Sequence, residues 1–95
     1  MSTSDGSTAA NILTAALGHM RDRAATYDKP EGERSMEATV NAFNAITGLE
    51  LTTSDGWLLM VLLKLVRDSQ REQAHEDSCH DLIAYSALYA EARLS

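Results

Sequence analysis

Asp77, Asp81 and Tyr85 recur at four-residue steps, so on a helix they share one face. Two carboxylates one turn apart suit a common cation or a polar ligand group, and a phenol one turn further on can cap the same pocket. The same acids also complement the positive end of a helix start, and Tyr85 reads equally well as a packed side chain with a satisfied hydroxyl. Lys64 and Arg67 supply the opposite charge, about one turn apart at the end of an apolar run. As cations near a helix C-terminus they are favourable in themselves, and Lys64 can snorkel. An antiparallel hairpin would instead set them beside Asp77 and Asp81 as one wall of an anion and metal pocket.

Glu33 and Glu37 form a second acid pair at four-residue spacing. They read either as a solvated first turn or as further oxygen ligands for Mg²⁺. Tyr27 and Lys29 lie in Tyr27-Asp28-Lys29-Pro30, a loop from which an aromatic ring can stack on a planar base. His75, Cys79, His80 and Asp81 are spaced for metal, but a structural zinc site needs a closed Cys/His set, and there is no second cysteine. Cys79 has only neighbouring His80 to mark it as a nucleophile and is expected to be a small buried thiol. No GxGxxG, Walker A, HExxH or GxSxG pattern occurs.

The elements that must position these residues are helices. From Thr8, Ile12, Leu13, Ala16, Leu17 and Met20 recur at three and four residue steps and predict an amphipathic helix to about Ala25 or Thr26. Asp28 to Gly32 carries two breakers and predicts a loop. A second helix is expected from about Glu33 to Gly48 on Met36, Val40, Phe43 and Ile46, with the glycine just past its end. Thr52, Thr53 and Ser54 offer N-caps for a third helix with Asp55 in its first turn, running to about Gln73. Trp57 to Val66 is apolar except at Lys64, which makes this helix either the centre of the bundle or a subunit interface. A short polar break then predicts an antiparallel hairpin to a fourth helix from Glu76 or Asp77.

The expected fold is all-α, a four-helix antiparallel bundle in one domain over residues 8–95 with residues 1–7 as a disordered tail. With 95 residues the core one copy can bury is limited, and an oligomer, dimer or tetramer, is expected. A net charge of −6 argues against binding nucleic-acid phosphate. A lone cysteine and an N-terminus with neither basic nor apolar signal regions fit a cytoplasmic setting without a membrane span.

Residues Arg23 to Pro30, Leu51-Thr52-Thr53-Ser54-Asp55, Leu63-Lys64-Leu65-Val66-Arg67 and Asp77 to Tyr85 together resemble small phage and prophage proteins similar to the nucleotide-modification-associated domain. More distantly they resemble MazG-type nucleoside triphosphate pyrophosphohydrolases. The resemblance implies an oligomeric helical bundle in a bacterial host that binds a nucleotide and holds Mg²⁺ with acids from neighbouring helices. It implies Asp81, Lys64 and Arg67 as catalytic groups, Tyr27, Lys29 and Tyr85 against base or sugar, and Asp77, Asp81, Glu33 and Glu37 around the metal. MazG-type enzymes carry ExxE and ExxD pairs, whereas here the first pair is ExxxE and Ser78 stands at the glutamate position of the ExxD pair whose aspartate is Asp81. The different-class alternative is a non-catalytic phage protein that sequesters a nucleotide signal or inhibits a host protein by direct binding.

Overall fold

The structure, a computed structural model, describes residues 8–26 and 35–95. It is all-helical, with α1 Ala9–Thr26, α2 Ser35–Thr47, α3 Thr53–Ser69 and α4 Glu76–Leu94, and it has no strand among the described residues. The expected tail over residues 1–7, the loop at residues 28–32 and the helix start at Glu33 lie outside the described residues.

Each boundary follows from local chemistry. Thr8 caps α1, accepting the Asn11 N–H on Oγ1 at 3.2 Å. Past the end of α2, Gly48 takes φ +76° and donates its N–H to the Asn44 carbonyl at 2.8 Å, the left-handed stop that glycine makes without strain. Asn44 then holds the turn into α3. Its Nδ2 donates to the Leu51 carbonyl at 2.9 Å and its Oδ1 accepts the Leu51 N–H at 3.0 Å. Of the three hydroxyls offered for the α3 cap, Thr52 is selected, in a capping box with Asp55. The helix stops at Ser69, a turn short of the expected Gln73, because Ser69 Oγ donates to the Val66 carbonyl at 2.7 Å. The Gln70 N–H is meanwhile shared between Val66 and Arg67. At α4 the cap is His75, whose Nδ1 accepts the Ser78 N–H at 3.3 Å.

α3 and α4 are antiparallel. Trp57 lies against Tyr85, Lys64 bonds Asp81 and Arg71 bonds Ser78, so positions rise along one strand of contacts as they fall along the other. Among the described residues α4 packs on both α3 and α1, and α3 packs on both α4 and α2. The centre is therefore shared by α3 and α4, with α1 resting on α4 and α2 on α3. Of the apolar run in α3 only Trp57 is buried, and Leu58, Leu59, Leu62, Leu63, Leu65 and Val66 stay exposed, Leu59 by 65%. The described core is small, with Ala16, Val40, Trp57 and Leu88 as its buried apolar members. No described helix is long and apolar enough to cross a membrane.

Gly56 sets how closely α2 approaches α3. A Cβ there would come within 2.8 Å of Val40 Cγ2 and press on Met36. Met36 can swing away, but Val40 is buried and β-branched. Gly56→Val is expected to lift α2 and lower stability by about 2–3 kcal/mol. Urea unfolding measures this; an unchanged midpoint would mean that the approach does not depend on the glycine.

Candidate functional site

The α3–α4 seam gathers the residues with most chemical capacity. Trp57 and Tyr85 stack with centroids 5.8 Å apart and planes 25° from parallel. Two turns along α3, Lys64 reaches across with Nζ 3.1 Å from Asp81 Oδ2 and 5.9 Å from the centre of the Tyr85 ring. That distance puts the ammonium at the edge of cation–π range. Its side chain is only 13% exposed, whereas that of Asp81 is 42% exposed. An ammonium this sheltered must keep its acceptor or recruit another anion, since water reaches it poorly.

Beyond Lys64 the seam continues through Arg71, whose Nη1 donates to Ser78 Oγ at 2.9 Å. The same hydroxyl lies 3.0 Å from His75 Nδ1, and Ser78 is buried. Arg71 escaped the sequence reading, although its place seven residues beyond Lys64 puts it on the same side of α3 extended. Arg67 sits in the last turn of α3 and is exposed.

The expected acids are distributed more widely. Asp81 joins Lys64, as the hairpin geometry requires. Asp77 faces α1, where its carboxylate lies near His19 and His80, with the ligating atoms of all three within 4.8 Å of one another. Glu37 lines a different cleft, at the far end of the hairpin, with Trp57, Leu88 and Glu91. Tyr27, Lys29 and Glu33 fall outside the described residues. His19 was invisible from sequence because nothing local says that α1 lies against α4. Cys79, expected to be buried, is half-buried.

The two members of the Lys64–Asp81 pair should respond unequally to removal. Asp81→Ala strands a sheltered ammonium and is expected to cost about 1.5–3 kcal/mol. Lys64→Met, which keeps an unbranched apolar stem, should cost less than half of that. Thermal unfolding of the two variants checks the order; equal losses would show that the pair is solvated on both sides.

No curated protein and no solved structure matches the chain. A family model does, over residues 11–93, a span that begins within α1 and ends within α4. The chain belongs to DUF6378, a domain of unknown function.

Proposed function

We propose that this is a phage or prophage protein of the bacterial cytoplasm that binds a nucleotide-type ligand over the α3–α4 seam. The observation that carries the reading is Lys64, sheltered between the Tyr85 ring and the Asp81 carboxylate. A phosphate entering at the open Asp81 side would meet an ammonium carried on a side chain that is only 13% exposed, and a charge with less water around it acts more strongly. Arg67, one turn along, adds a second cation at the rim, and Tyr85 offers an apolar surface to a base or sugar. The resemblance to nucleotide-modification-associated and MazG-type proteins supports the same ligand class.

Mg²⁺ fits this donor set only in the company of the ligand. Mg²⁺ commonly takes one or two carboxylates plus substrate phosphates, and Asp81 is the carboxylate beside the proposed phosphate position. When bound there it would polarise the phosphoryl group and lower the pKa of a water for hydrolysis between the α and β phosphates. Ser78 favours the non-catalytic form of the reading, a nucleotide-sequestering protein. Its hydroxyl stands at the position of the glutamate that precedes the aspartate in the ExxD pair of the resembling enzymes, and it is occupied by Arg71 and His75. A panel of nucleoside triphosphates with Mg²⁺ is expected to raise the melting temperature in a concentration-dependent way, and Lys64→Met is expected to remove the shift. Pyrophosphate release that Asp81→Asn abolishes would make the protein an enzyme; no shift with any nucleotide would defeat the binding reading itself.

We infer also that a second copy of the chain covers the outer face of α3. Its exposed leucines and Val66 adjoin a groove that Phe43 of α2 and Leu51 also line, and a group of large apolar side chains left in water on one helix marks an interaction surface. Such side chains form the apolar centre of a stable interface. A self-complementary helix face is what a two-fold dimer needs. Light scattering is expected to give twice the 10.3 kDa of the chain, and Leu59→Glu with Leu62→Glu is expected to give the monomer. A wild-type monomer at every concentration would refute the inference.

A further inference from the structure

We propose that His19, Asp77 and His80 form a binding site for a divalent transition-metal ion, at the α1–α4 contact and separate from the nucleotide seam. His19 Nε2 and His80 Nδ1 stand 3.1 Å apart, with ring centroids at 5.0 Å and planes inclined by 36°. Two nitrogens bound at about 2.0–2.1 Å to one ion are separated by about 2.9–3.4 Å for octahedral or tetrahedral angles, so the pair is already at ligand spacing. Asp77 brings its carboxylate within 4.8 Å of both. It is exposed, and a rotamer change can close the remaining gap.

Two features distinguish this group from a chance meeting of surface side chains. His80 is only 7% exposed, so its ring is held by packing instead of by solvent. Its other nitrogen, Nε2, lies 3.8 Å from Glu76 Oε2, longer than a hydrogen bond but close enough for this exposed carboxylate to take up the remaining N–H of a metal-bound imidazole. With the proton on Nε2, the Nδ1 lone pair would face His19. Two imidazoles and one carboxylate form a nitrogen-rich set that suits Zn²⁺, Fe²⁺ or Co²⁺ better than Mg²⁺. Three protein ligands leave coordination positions open for water or an anionic ligand, as in reactive sites and unlike closed structural ones. Because the ligands come from α1 and α4, binding would also fasten these helices together and stabilise the fold.

The test uses the full chain without a polyhistidine tag, stripped with chelator and titrated with Co²⁺ and Zn²⁺ in the absence of nucleotide. One ion per chain is expected, with visible Co²⁺ d–d absorption and a melting temperature that rises with metal concentration. His19→Gln and Asp77→Asn change exposed residues and should each weaken binding at least tenfold, with Glu76→Gln weakening it about tenfold. His75→Gln, Cys79→Ser and Lys64→Met should leave affinity unchanged. Binding only at millimolar metal, or an affinity indifferent to His19→Gln, would mean that the two imidazoles merely share a proton. Loss on His75→Gln or Cys79→Ser would put the ion elsewhere and overturn the assignment. Since no nucleotide enters the measurement, either result is independent of the seam's ligand.

Discussion

The antiparallel contact between α3 and α4 is the constraint on which the other features depend. It consists of a ring stack at one end, Trp57 on Tyr85, and a sheltered ion pair two turns along, Lys64 with Asp81. The stack supplies apolar burial that does not fix register by itself, because flat rings can slide. The ion pair and the Arg71–Ser78 bond are directional, and a slip of one turn would break both. Polar contacts on a mostly apolar seam therefore act chiefly as register marks, while the stabilisation comes from the area they accompany.

With α3 and α4 as the central pair, the outer helices have unequal supports. α1 rests on α4 through a face that includes Ala16 and His19, whereas α2 is held at the Gly56 crossing and by the Asn44 clamp on Leu51. The apolar outer face of α3 follows directly. One helix cannot turn its whole circumference towards a single neighbour, so an apolar run spread round α3 leaves most of its leucines in water when only α4 and the start of α2 cover it. Among the described residues the chain thus leaves more apolar surface in water than its own fold hides, and the largest share of it lies on α3.

α4 shows how one helix can serve two contacts of different character. Its residues directed at α3 are Ser78, Asp81 and Tyr85, which meet a hydroxyl-seeking guanidinium, an ammonium and an indole ring. Its residues directed at α1 are Asp77 and His80, which meet an imidazole. The i, i+4 spacing of Asp77 and Asp81 puts them on adjoining turns, yet the division between α1 and α3 falls between them, so similar carboxylates acquire different partners.

Much of this was legible from local pattern. The four helices, the Gly48 stop, an α3 cap among Thr52, Thr53 and Ser54 and the meeting of Lys64 with Asp81 follow from periodicity, capping chemistry and the shortness of the polar break before α4, all of which act within a few residues. The α3 end at Ser69 was less legible, because a serine hydroxyl bonding back competes with helix propensity by small margins. How much of α3 stayed uncovered, where Asp77 turned, and the approach of His19 to His80 were decided only by tertiary packing. The last of these joins residues 61 positions apart in the chain, and no local spacing encodes how much of an apolar helix its neighbours will cover.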